Sequence, residues 1–196
     1  MMKGRTMNGQ FALRMLAAAV IYLVLFLLGS TSGLLGPVVY AYAGTFLPLL
    51  FAFVYLYVAA NIRIFGAALL LNGFALVVGI LAGEGNPTFI FGLILLTVVA
   101  GIIREVCGYD TKKGVRLSFI PMAFSFYAYS GHWWTETEES LAAAVEEMSP
   151  AYADAMEQVI ANTPMLIIML VLTIPVAILA MRLAEKAMPK QAAKLK

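Results

Sequence analysis

Five side chains within eight positions could grip a flat ligand: Tyr127, Tyr129, His132, Trp133 and Trp134. Phenol and indole faces stack on aromatic rings, and an imidazole can hydrogen-bond or ligate, as it does to haem iron. The same residues suit an aromatic belt, because Trp and Tyr collect at membrane interfaces through their amphipathic rings. Glu84 and Asn72 complete the candidate ligand-binding set. Asn72 has an alternative role, since a buried Asn commonly bonds neighbouring helices.

Other chemistry is scarce. The chain has one histidine and one cysteine, Cys107. A single thiol makes neither an intrachain disulfide nor a metal framework. No Ser-His-Asp set, HExxH or phosphate-binding GxxxxGK[ST] can be assembled. No apolar stretch carries a charge at its centre, which argues against a proton relay and against an intramembrane hydrolase. The expectation is a binding protein, not an enzyme, with no metal and no resident cofactor.

The elements that must position these residues are membrane helices. Hydrophobic residues make up 62% of the 196 and charged residues only 12%. Soluble domains are roughly 45–50% apolar and about 25% charged. Six apolar stretches follow one another: Phe11 to Leu28, Leu35 to Ala60, Ile64 to Ala82, Phe89 to Ile103, Leu117 to Ser130, and Met165 to Leu183. A spanning helix takes about 20 such residues. The first run exceeds the 7–15 residues of a signal-peptide core and is read as a retained span. In the second, Pro37, Gly44 and Pro48 predict an irregular lead-in before a span from about Phe46 to Ala60. The fold class is therefore all-α, a polytopic membrane protein with six transmembrane helices forming one domain over 1–196. The length leaves no room for a nucleotide-binding domain.

Orientation follows the basic residues. With the N-terminus inside, all thirteen fall on the inner side: Lys3, Arg5, Arg14, Arg63, Arg104, Lys112, Lys113, Arg116, Arg182, Lys186, Lys190, Lys194 and Lys196. Both termini are then cytoplasmic. Glu84, Glu136, Glu138, Glu139, Glu146, Glu147, Asp154 and Glu157 fall outside. The longest outer connection, His132 to Pro164, has helical periodicity. Leu141, Ala144, Val145 and Met148 share one face, and Tyr152, Ala155, Met156, Val159 and Ile160 another. Ser149 and Pro150 suit a cap and a first-turn proline. Two short amphipathic helices across the outer mouth are expected. Their polar faces are acidic, whereas a helix resting in headgroups is usually basic, so a lid packed on protein is the better reading.

Small residues mark close helix approaches. Ala75, Gly79 and Gly83 form a ladder on the third stretch, and Ala17, Ala18 and Ala19 give the first a thin face. These contacts lie within the fold or against a partner chain.

Gly36 to Ala67, Leu95 to Phe119 and Ser149 to Met188 resemble, in order, the Trep/Strep family of integral membrane proteins. Pro48, the Gly-Tyr-x-x-Lys-Lys-Gly loop at Gly108 to Gly114, and Ala151-Tyr152-Ala153 after Pro150 carry most of the likeness. The resemblance implies the substrate-binding S component of an energy-coupling factor (ECF) transporter. Such a protein binds a small molecule outside and works with a transmembrane coupling protein and two cytoplasmic ATPase subunits. Many S components dock through an AxxxA pattern in the first span; here Ala17-Ala18-Ala19 is followed by bulky residues at the next turn. Relatives have been linked to haem or other tetrapyrrole uptake, and a vitamin-like heterocycle is the next expectation. The implied location is a bacterial cytoplasmic membrane, with no nucleic-acid partner. Two other classes fit the same residues: a stand-alone secondary carrier, and a scaffold that binds another protein by its acidic outer loop.

Overall fold

A computed structural model describes residues 9–62 and 65–196. The expectations placed on Lys3, Arg5, Arg63 and Ile64 lie outside the described residues. Every regular element described is helical.

The first helix, α1 (Gly9–Thr31), buries one stripe: Met15, Ala18, Ala19, Tyr22, Phe26 and Gly29. The spacing of three and four residues is that of a single helix face. Its other faces expose Leu13, Leu16, Val20, Ile21, Val24 and Leu27. An apolar coat of this extent suits hydrocarbon, not water. A 3-10 turn (Ser32–Leu35) ends at Gly36, whose φ of 115° is open to glycine at little cost.

Pro37 then starts α2 (Pro37–Phe46), and α3 (Pro48–Asn61) follows after Leu47 alone. Leu47 keeps helical dihedrals, and its N–H bonds Ala43 O at 3.0 Å. The interruption is therefore the donor missing at Pro48. It falls where the sequence places it, but the lead-in before it is itself helical.

α4 (Ala67–Leu81) is apolar but short, about 22 Å at 1.5 Å per residue. α5 (Pro87–Cys107) begins with Asn86 accepting the Phe89 N–H at 2.8 Å and Pro87 in the first turn. α6 (Lys112–Met122) and α7 (Ser125–Ser130) are separated at Ala123–Phe124, just after Pro121. Four helices are long and apolar enough to cross a bilayer: 9–35, 37–61, 87–107 and 163–187. The short α4 and the broken α6–α7 pair, expected as the third and fifth spans, fall below that length.

The connection from 132 to 164 folds into the two expected short helices, α9 (Thr137–Glu147) and α10 (Pro150–Ile160), preceded by one further turn, α8 (His132–Thr135). Ser149 Oγ accepts the Tyr152 N–H at 3.1 Å, the cap that Ser149-Pro150 implies. Ala153, Met156 and Ile160 turn inward, with Met156 at 0% exposure, and α10 lies on α2. In α9 the buried residues are Ser140 and Ala144, while Val145 and Met148 face out. Of the face expected for α9, Ala144 and, in part, Leu141 turn in, and the buried side is rotated towards Ser140, which bonds His132. α11 (Thr163–Ala187) returns across the fold against α3, and α12 (Pro189–Ala192) packs at the inner end of α3.

The end of the fold that carries most of the Lys and Arg residues is tied by ionic and polar contacts. Arg116 forks onto Glu185, Nε to Oε1 at 2.8 Å and Nη2 to Oε2 at 2.6 Å. Lys196 Nζ meets Asp110 at 3.1 Å, and Asn61 bonds Gln191 and Lys194. Arg104 is 2% exposed and donates through Nη2 to the carbonyls of Ala59, Ile62 and Tyr109. A cation there complements the negative C-terminal end of α3.

Candidate functional site

The aromatic constellation divides at α7. Tyr127 and Tyr129 are two residues apart, so a helix turns them about 200° from one another. Tyr129 joins a ring cluster with Phe26, Phe89 and Phe126, at centroid distances of 5.5, 5.5 and 5.6 Å. Tyr127 faces the opposite way. Its hydroxyl pairs with Thr45 Oγ1 at 2.6 Å, and Thr45 in turn donates to Met169 O at 3.1 Å. The Tyr127 ring lies flat against Gly44, where a Cβ would come within 2.7 Å of it.

His132 and Trp133 stand over the Tyr129 side. Their rings are 5.2 Å apart, and His132 is 6.4 Å from Tyr129. Trp133 meets Tyr40 edge to face at 6.1 Å, which joins the cap to α2. His132 Nδ1 lies 2.8 Å from Ser140 Oγ, and that hydroxyl is 3.2 Å from the His132 carbonyl. Burial lowers the imidazole pKa against the opposing pull of the Glu136 carboxylate. His132 is thus a neutral fastener between α8 and α9. A second fastener joins Thr88, at the start of α5, to Thr135 at 2.5 Å and to Glu136 at 3.0 Å.

Two donors in this cap have no partner. Trp133, 7% exposed, holds its indole N–H beside the Tyr40 hydroxyl without making a hydrogen bond of proper geometry. The Trp134 N–H is likewise buried and unpartnered. Unsatisfied buried donors are uncommon enough to call for an explanation. At the rim, the Tyr129 hydroxyl donates to Glu84 Oε2 at 3.2 Å. Four candidate ligand residues, Tyr129, His132, Trp133 and Glu84, are therefore gathered in one cluster, with Trp134 next to them in α8.

Asn72 lies elsewhere. It is 1% exposed and sits at the centre of a polar knot. Tyr22 and Ser125 donate to its Oδ1 at 2.9 and 3.0 Å, and its Nδ2 faces Thr97 Oγ1 at 3.2 Å and Met122 Sδ at 3.4 Å. These contacts join α1, α4, α5, α6 and α7 and use the amide as an interhelical link.

The small residues are also taken up largely inside the chain. Ala19 and Ala75 are buried, and a Cβ on Gly79 would come within 2.6 Å of the Phe89 ring. Ala17 and Ala18 line a cavity of about 330 Å³ near Arg14, Phe53, Tyr57 and Met188. Gly83 is exposed, and its φ of 91° serves the turn after α4. A larger apolar cavity of about 530 Å³ runs between Leu28, Val38, Phe46, Leu47, Met165 and Met169. It lies between α1, α2 and α11, on Tyr127's side of the fold. Sequence reading did not find it. The nearest sequence signals were Gly29 and Gly44, whose missing side chains admit Phe126 and Tyr127.

An all-helical chain with an apolar outer coat and four bilayer-length helices is an integral membrane protein. The family of hypothetical bacterial integral membrane proteins called Trep_Strep matches residues 13–194, and this chain belongs to it. No curated protein and no solved structure matches the chain.

Proposed function

We propose that this protein is the substrate-capture component of an ECF-type importer in a bacterial cytoplasmic membrane. It binds a small molecule at its outer end and carries no catalytic step of its own. The observation that supports this best is the helical cap, α8 to α10, seated over an aromatic cluster whose indole donors await acceptors. Ligand sites are mostly apolar with a few orienting polar groups. The partners are a transmembrane coupling protein and two cytoplasmic ATPases.

The protein purified from its native host should bring down ATPase subunits. Reconstituted alone it should bind but not import; with those partners and ATP it should import. Transport by the isolated chain would make it a secondary carrier instead. Absence of both ATPases and bound small molecule would leave the scaffold reading.

The proposed topology has six crossings and cytoplasmic ends. In a Cys107→Ser background, a cysteine at exposed Glu147 should react with an impermeant maleimide in whole cells. Cysteines at exposed Lys113 and Lys190 should react only after lysis. Labelling of Lys113→Cys in intact cells would overturn this orientation.

A further inference from the structure

The charges around the mouth are of one sign. Glu84, Glu136, Glu138, Glu139, Glu146, Glu147, Asp154 and Glu157 all belong to the outer connections, and no Lys or Arg occurs in 65–103 or 117–181. Six of these carboxylates, on Glu138, Glu139, Glu146, Glu147, Asp154 and Glu157, belong to exposed residues of the cap helices. Glu84 is also exposed and is the one that reaches the ring cluster, through the Tyr129 hydroxyl. Its Oε1 bonds nothing among the described residues.

Three features converge here. Aromatic faces carry negative potential and attract cations, most strongly when a ring as large as indole takes part. Tyr129 supplies such a ring at the Glu84 carboxylate, and His132 links it to the buried Trp133–Tyr40 pair, at 6.4 Å from Tyr129 and 5.2 Å from Trp133. The surrounding acidic field raises the local concentration of cations and repels anions. The Trp133 N–H, buried beside the Tyr40 hydroxyl without a hydrogen bond of proper geometry, leaves donor capacity unused behind these rings.

We infer that the outer mouth takes a flat, positively charged nitrogen heteroaromatic, with Glu84 as its counter-charge and the partly exposed Tyr129 ring as its stacking surface. This rests on the reading of the chain as an outer-facing ligand-binding component. It also weighs against a tetrapyrrole bearing two carboxylates, which would bring like charge to an acidic mouth.

Two probes of the same shape and opposite charge test the inference: N-methylacridinium and acridine-9-carboxylate. The full chain, in phosphatidylcholine proteoliposomes, is titrated with each while tryptophan fluorescence is followed. The cation should quench and saturate, and its affinity should fall as salt rises. The carboxylate should not saturate. Glu84→Gln should weaken the cation by about tenfold, the loss of one charged contact, with an unchanged melting temperature. Tyr129→Phe keeps the carboxylate and should cost less than Glu84→Gln. Equal binding of both probes, no saturable quenching by the cation, or an unaltered Glu84→Gln variant would each overturn the inference. Co-purification of the ATPases is a separate measurement. Probe failure with the ATPases present sinks the charge assignment alone, and probe success without them sinks the importer reading alone.

Discussion

Gly114→Ala should largely abolish the folded protein. Gly114 lies in the first turn of α6, where a Cβ would sit 2.2 Å from the Gly108 carbonyl oxygen and 3.0 Å from Thr111 Oγ1. Neither neighbour can yield cheaply. Gly108 is backbone at φ 94°, and the Thr111 hydroxyl donates to Cys107 O at 2.7 Å while accepting the Gly114 N–H at 2.9 Å. The whole loop from Gly108 to Gly114 is thus one hydrogen-bonded turn closed around a missing side chain. The Gly-Tyr-x-x-Lys-Lys-Gly spacing has this physical reason. Forcing a methyl into it should cost about 3 kcal/mol or more. The measurement is the monodisperse fraction and melting temperature of detergent-solubilised protein. Gly9→Ala is the control, since its Cβ would meet nothing within 4 Å. A Gly114→Ala variant as stable as that control would disprove the account.

Asn72→Leu should destabilise by about 1–2 kcal/mol, the upper range for an interhelical hydrogen bond in a membrane. The cost falls mainly on Tyr22, buried at 1% exposure, whose hydroxyl has Asn72 as its acceptor. Ser125 and Thr97 keep alternative acceptors, Met122 O at 2.8 Å and Leu93 O at 2.7 Å. Tyr22→Phe combined with Asn72→Leu should therefore recover most of the loss, because removing both partners leaves no orphaned donor. Thermal unfolding of the two single variants and the double variant measures this coupling. Binding of N-methylacridinium should be unchanged in the double variant. A loss of binding at intact stability would return Asn72 to the ligand site.

These two positions show how far the chain can be read without its fold. Gly108 and Gly114 stand out as a spaced pair, yet nothing in the spacing says that one carbonyl fills the place of the other's side chain. Asn72 carries two readings, of which the sequence favours the interhelical link without naming its partners. The choice depends on Tyr22 and Ser125, 50 and 53 positions away. Similarly, the Ala75–Gly79 ladder is visible as small residues, but its occupant, Phe89, is found only in the packed fold. Tyr127 and Tyr129 read as neighbours in one aromatic cluster, and the short α7 sends them to opposite sides.

The sequence by itself determined the apolar helices, the one-sided distribution of Lys and Arg, the interruption at Pro48, and the capped pair of helices after His132. Each is a local property: transfer of a segment to hydrocarbon, a missing backbone donor, a cap within one turn. Tertiary structure decided which helices reach full length, which side of α9 turns in, where the two cavities open, and which outer residues meet Glu84. Those outcomes depend on contacts between side chains far apart in the chain. Periodicity shows that a helix has a face to bury, but only packing determines what covers it.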